Sequence, residues 1–169
     1  MDSMKQIKIE KVTLNIGAGK DQQRLEKAIV LLKNITGIAP VKTFTNKRIP
    51  EWGLRKGLPI GCRLTLRKQT ALTLLHRLLE AKDRQVNDSW FDKEGNLSFG
   101  IHEYIDIPSV NYDPKIGIMG LQVCVTFQRC GFRIKKRALK QCKVPLRHKL
   151  TREEVMDYMK KQFNIQIGG

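Results

Sequence analysis

Val12, Leu14 and Ile16 alternate with Thr13 and Asn15, the period of two expected of a strand buried on one face. Gly17-Ala18-Gly19 then turns the chain. Behind Asp21, a good N-cap, Leu25, Ala28, Ile29, Leu32 and Ile35 recur at helical spacing, and Gly37 suits the end of that helix. A short strand is expected over residues 41–45, followed by an irregular stretch. The clearest alternation of all comes next: Cys62, Leu64 and Leu66 point one way, Arg63, Thr65 and Arg67 the other. The leucines 74, 75, 78 and 79 predict a second helix over 70–82. Residues 83–113 are more acidic and turn-rich, with a short strand near 97–101. Leu121, Val123, Val125 and Phe127 alternate with Gln122, Cys124, Thr126 and Gln128 as another strand. Thr151 and Glu154 form a capping box that opens a last helix, with Val155, Tyr158, Met159 and Phe163 as its packing side.

Strands mixed with helices, without a regular βαβ repeat, predict an α+β fold for residues 1–169 as a single domain: an antiparallel sheet with helices on one face. The other face, carrying Thr13, Asn15, Arg63, Thr65 and Arg67, is expected to be an open, polar and cationic platform. A sheet left open on one side is a common way to hold RNA.

Charge narrows the partner. Thirty-two Lys and Arg stand against sixteen Asp and Glu, a net +16 in 169 residues, while 41% hydrophobic content supports a folded core rather than a disordered basic tail. Such an excess attracts polyanions, whose counterions are released on binding. A merely solvated basic surface is the plain alternative. The amino terminus has no apolar run of signal-peptide length, and no stretch approaches the ~20 apolar residues that span a bilayer, so no membrane partner is expected. The four cysteines include no C-x-x-C pair and read as reduced, cytosolic thiols. Cys124, Cys130, Cys142 and His148 are the candidate zinc ligands, but their spacing matches no usual pattern, so neither metal nor cofactor is expected.

Two stretches concentrate the cations. Residues 43–67 hold Lys47, Arg48, Arg55, Lys56 and Arg63 before Arg67, against the single acid Glu51, and include Trp52. Long loops in compact domains are functional or disordered. Here the cations favour phosphate and Trp52 offers a face for a base, with packing onto the core as its alternative. Residues 129–149 hold nine Lys or Arg and no acid. Like charges so crowded repel unless an anion is supplied, which favours a second phosphate-binding segment, with Arg133, Lys135, Lys136 and Arg137 as candidates, over a solvated connector.

Enzymatic readings find less support. NIGAGKDQQ follows a strand and opens a helix, but Gln22 replaces the third glycine of a dinucleotide loop and no G-x-x-x-x-G-K-[ST] occurs. A structural turn is the simpler reading. His76 sits among helix leucines as a surface or packed residue, and His102 lies near Glu103 and Asp106 with no nucleophile in a recognisable context.

VTLNIGAG, ITGIAPVKT, GLRKGLPIGCRLTLR, FDKEGNLSFGIHEYIDIPSVNYD and IMGLQVCVTF, in that order, resemble the ribosomal protein family that binds 5S rRNA, universal large-subunit protein number five. The match covers nearly the whole chain, and PIGCRLTLR is its most specific part. The short amino terminus and FRIKKRALKQCKVPLRHKL look like the archaeal branch. The resemblance implies a non-catalytic protein of the cytoplasmic ribosome whose concave sheet face docks on 5S rRNA in the central protuberance. Asn15, Trp52 and Thr65 fall at positions the family uses for 5S rRNA, with Trp52 replacing the usual Phe. Ile38 stands where bacterial relatives often have Gln, so no contact is carried onto it. The family's loop toward P-site tRNA falls on residues 46–57, with Lys47, Arg48, Arg55 and Lys56. Its acidic-to-polar half bridges to a small-subunit head protein. Large-subunit rRNA and other central-protuberance proteins are the remaining implied partners. Phosphate contacts on 5S rRNA are then expected from Lys42, Arg63 and Arg67. The competing readings are a generic basic RNA-binding protein or chaperone without 5S specificity and a nucleotide enzyme using GAGK.

Overall fold

In the computed structural model, which describes residues 3–168, the first strand runs well beyond the expected 12–16. The reading of the amino terminus begins at Met1 and Asp2, which lie outside the described residues. β1 covers Ile7–Gly17: Lys8, Glu10 and Lys11 interrupt the apolar alternation without interrupting extended backbone. α1, Gln22–Thr36, starts where Asp21 accepts the amides of Gln23 and Arg24 at 2.9 and 3.2 Å, and stops at Gly37, whose φ of 74° is left-handed. Leu31 takes a core position alongside Leu25, Ala28, Leu32 and Ile35, leaving Ile29 half-buried.

β2, Val41–Phe44, pairs antiparallel with β3, Pro59–Leu66. There follow α2 (Lys68–Glu80), β4 (Gln85–Asn87), β5 (Leu97–Ile101), β6 (Leu121–Arg129), α3 (Arg133–Lys136), α4 (Arg152–Phe163) and β7 (Gln166–Gly168). Five strands form one sheet in the order β2-β3-β1-β6-β5, and β4 pairs with β7 in parallel. The architecture is α+β. The sequence pattern does not predict β4 and β7, because each is three residues long and its partner lies some eighty positions away.

Contacts sort the chain into two units, and β1, β5 and β6 each contribute to both. One unit draws on Thr13–Leu66 and Phe99–Val123. In it Leu14, Ile16, Cys62, Leu64 and Leu66 are buried together with the apolar stripe of α1, which lies against β3. Each such leucine or isoleucine contributes roughly 1.5–3 kcal/mol of burial. The intervening Thr13, Asn15, Arg63 and Thr65 are exposed or half-buried, so this part of the sheet has a helix on one face and none of the unit's helices on the other.

The other unit draws on the chain up to Val12, Arg67–Ser98 and from Cys124 onward. Leu74, Leu75, Leu78 and Leu79 of α2 and Val155, Met159 and Phe163 of α4 supply its core with Val125 and Phe127. Thr151 accepts the Glu154 amide while the Glu154 carboxylate accepts that of Thr151, closing the expected capping box. The His76 ring lies 4.7 Å from that of Phe163, which makes it a packed surface histidine.

Candidate nucleic-acid interface

Register decides which side chains share the open face. Val41 pairs with Arg63, Lys42 with Cys62 and Thr43 with Gly61. Residues directly opposite in an antiparallel pair project to the same face, so Thr43 accompanies Arg63 and Thr65 while Lys42 accompanies the buried Cys62. Lys42 and Arg63, both expected to contact phosphate, therefore project to opposite faces of the sheet. Lys42 projects from the helix side of edge strand β2 and is exposed. Burial pushes the Cys62 thiol up to about 11, which makes it an inert core residue. Arg67 lies one residue past β3, extended (φ −138°, ψ 167°) and exposed, where it precedes α2 and belongs to the other unit.

The expected cationic platform is corrected too. By alternation, the outward strand positions of the α1 unit are Thr13, Asn15 and Gly17, Val41 and Thr43, Gly61, Arg63 and Thr65, Gly100, and Gln122. Arg63 is the one charge among them. The other outward positions of this unit are neutral, with Val41 an exposed apolar side chain among them. On this face Asn15 Nδ2 donates to Gln122 Oε1 at 3.0 Å. In the sequence Gln122 stands out only as a polar member of an alternating strand. The pairing of β1 with β6, which brings it to Asn15, has no local signal.

The loop over 46–57 has internal structure. Thr45 is buried, its amide donates to Leu58 O at 2.9 Å, and its hydroxyl donates to Lys47 O at 2.9 Å. Ile49 and Leu54 form an isolated antiparallel bridge around the turn Pro50–Trp52, and Gly53 supplies the required φ of 65°. Leu54, 8% exposed, anchors the loop, while Trp52 at its tip is 66% exposed. Trp52 is thus not a core residue. Lys47, Arg48, Arg55 and Lys56 are all exposed, and no ion pair engages them among the described residues.

Residues 129–149 depart from the crowding argument, because acids from elsewhere in the same unit reach in. Arg129, buried, donates from Nη2 to both Glu154 oxygens at 2.6 Å; Lys136 pairs with Glu10, and Lys149 with Glu94 at 3.2 Å. Burial alone would raise the Glu154 carboxyl, but the Thr151 amide and the Arg129 bonds and charge outweigh it and hold it below its usual value. Lys136 is therefore already engaged, whereas Arg133, Lys135 and Arg137 face solvent without an acidic partner among the described residues. Lys135 and Lys136 line a cleft of about 850 Å³ with Phe127, Phe132, Val144 and Leu150.

The GAGK segment is a turn. The amides of Ala18 and Gly19 both donate to Ile60 O, at 2.9 and 3.0 Å, and the Asp21 carboxylate caps the start of α1. Those amides are thus engaged, and a carboxylate stands where a phosphate would sit. Among the described residues no group of three His, Cys, Asp or Glu could hold a metal ion, and the His148 ring nitrogen lies 2.9 Å from Cys130 O. Among them, too, no helix is long and apolar enough to cross a membrane.

Residues 2–55 match the family described as ribosomal protein L5, and residues 59–158 match the model for the C-terminus of that same ribosomal family. The large ribosomal subunit protein uL5 of Methanobrevibacter smithii is 45% identical over 98% of this chain and 97% of its own length. Proteins of the same name from Sulfolobus acidocaldarius (45%; 97% of this chain and 92% of its own) and Nanoarchaeum equitans (45%; 97% of each) are similarly close. These relatives carry the names of ribosomal proteins and not of enzymes, and they are archaeal. The chain belongs to the ribosomal protein L5 family.

Proposed function

We propose that this chain is a structural constituent of the large subunit of the cytoplasmic ribosome, binding 5S rRNA across its open sheet face and helping to attach it in the central protuberance. The observation that supports the reading is the grouping of Asn15, Thr65 and Arg63 on the sheet face opposite α1 in a chain of this family. Asn15 and Thr65 offer hydrogen bonds to sugar or backbone, and Arg63 supplies a phosphate contact. Arg67, beyond the strand, and Lys42, at the edge, take phosphates at the margins. Trp52 stacks on a base of the same RNA.

Three finer assignments go with this. The loop cations Lys47, Arg48, Arg55 and Lys56 reach toward P-site tRNA. Arg133, Lys135 and Arg137 meet a second RNA segment, large-subunit rRNA, whereas Lys136 is committed to Glu10. The acidic stretch beyond residue 83 bridges to a small-subunit head protein, and other central-protuberance proteins flank the chain.

Binding of 5S rRNA by Arg63→Ala and Thr65→Ala, measured across a salt series, tests the core of the proposal. Both should weaken binding, and only Arg63→Ala should flatten the salt dependence. Unchanged affinity in both would remove the sheet face from the interface. A generic basic RNA chaperone is the second reading, favoured by the net charge of +16 alone. It predicts a salt effect from any cation and no effect of Thr65.

A further inference from the structure

Beyond β6 the chain folds back on itself. The Cys142 amide donates to Ile134 O at 3.3 Å, Gln141 Nε2 donates to Lys135 O, and the rings of Phe132 and His148 lie 6.0 Å apart. A turn over Leu146–His148 then leads into the buried Leu150. This folded-back stretch and residues of β1 and β6 enclose the cleft of about 850 Å³, and every residue lining it belongs to one unit. Its walls are held by the chain's own contacts, so the cleft is formed without a partner, and its volume lies in the range of binding sites.

The floor is apolar and the rim cationic. Phe127 and Leu150 are buried, Val144 is half-buried, and Leu146 stands 82% exposed at the edge. Four lysines and two glutamates complete the lining. Lys136 holds the Glu10 carboxylate and Lys149 that of Glu94, while Lys135 and Lys143 have no acidic partner among the described residues. The carboxylates already bound show which anion suits these ammonium groups. The Glu94 side chain is 67% exposed, and so open a pair is weak enough to yield Lys149 to an incoming carboxylate.

Single-stranded RNA is held by cations together with open aromatic faces. Here Phe127 is buried and Phe132 has the His148 ring beside it, so the surface offered to a partner is mainly aliphatic. Aliphatic surface beneath separate ammonium groups matches an apolar side chain flanked by carboxylates. We infer that this cleft docks an acidic segment of another protein. An apolar side chain of that segment enters among Val144, Leu146 and Leu150, and neighbouring Asp or Glu residues meet Lys143 and Lys149. The inference goes beyond the 5S rRNA reading and does not depend on it. Arg133 and Arg137 line no part of the cleft. Lys135 lies both on this rim and among the residues proposed for rRNA, and the test variants avoid it.

Selection of short random peptides displayed on phage against the full-length protein at physiological salt, followed by titration of the enriched peptides, tests this. Enriched sequences should combine Asp or Glu with Leu, Ile or Phe. Leu146→Ser and Lys143→Glu should each weaken their binding about tenfold, the loss of one anchoring side chain or one charge contact. Lys47→Glu, the same charge change placed in the 46–57 loop, should alter it less than about twofold. Glu94→Gln should tighten it about two- to threefold by freeing Lys149. Leu146 is exposed, so Leu146→Ser should melt and bind 5S rRNA as wild-type does. Absence of enrichment, enrichment of acidic peptides without an apolar residue, or equal losses in Lys47→Glu and Lys143→Glu would overturn the inference. Displacement of the peptides by a single-stranded RNA whose own binding falls in Leu146→Ser would also overturn it and assign the cleft to RNA. Normal peptide binding by a wild-type protein that does not prefer 5S rRNA to an unrelated RNA would overturn the 5S reading alone.

Discussion

Lys42 and Arg63 illustrate how much a single residue's role depends on register. Both are exposed cations on neighbouring strands, yet the pairing of Lys42 with Cys62 sends them to opposite faces. Alternation within β3 makes the outward direction of Arg63 legible from the sequence. In the four-residue β2 there is no such internal evidence, and only the pairing fixes the face. Arg63→Ala should lower the slope of log affinity for 5S rRNA against log salt by about one, the signature of one lost phosphate contact. Lys42→Ala should change it less, and a larger effect of Lys42 would mean that the RNA wraps the β2 edge. Trp52 is legible as an outward aromatic because its neighbours form no apolar periodic face, whereas the burial of Leu54 two positions later has no such signal. Trp52→Ala should cost about 1–3 kcal/mol of RNA binding with an unchanged melting temperature. A fall in melting temperature with normal binding would contradict its placement.

At the scale of elements, local signals suffice where they exist. α1 and α4 begin at side-chain caps and α1 ends at a left-handed glycine, signals contained within a few residues. β4 and β7 escape such reading because a three-residue strand exists only through its distant partner. The basic segment departs from expectation for the same reason: its acids Glu10, Glu94 and Glu154 are separated from their partners in sequence and near them in space. Glu154→Gln keeps an N3 side chain able to complete the capping box but loses the charge opposite Arg129. It should destabilise by about 1–2 kcal/mol, short of the range for fully buried pairs because the Glu154 side chain is 43% exposed. The folded state holds the Glu154 carboxyl below its usual value, so its stabilisation is complete above the ordinary glutamate range and fades as pH falls through the folded-state value. Melting temperatures of wild-type and Glu154→Gln should therefore converge in acid. A constant gap would assign the loss to packing. In the loop, Leu54→Ala should raise protease cleavage within 46–57 well before it changes global unfolding.

For the whole molecule, the net charge of +16 favours a polyanionic partner, and the order of motifs resembles a family that binds 5S rRNA. The fold then redistributes that charge. A chain of net +16 leaves Arg63 as the only charge on the outward strand positions of the α1 unit and concentrates exposed cations on the 46–57 loop and the 129–149 segment. Under the proposed reading, attraction and recognition are divided between different parts of the surface. Attraction should be strongly salt-dependent and indifferent to sequence, whereas recognition by the neutral face should survive salt. Competition binding at physiological salt, 5S rRNA against an unrelated structured RNA of equal length, separates the two in one titration. Strong preference for 5S rRNA, retained as salt rises while total affinity falls, is the predicted result. Equal affinity for the two RNAs would contradict the account and leave only a basic protein that binds RNA by charge.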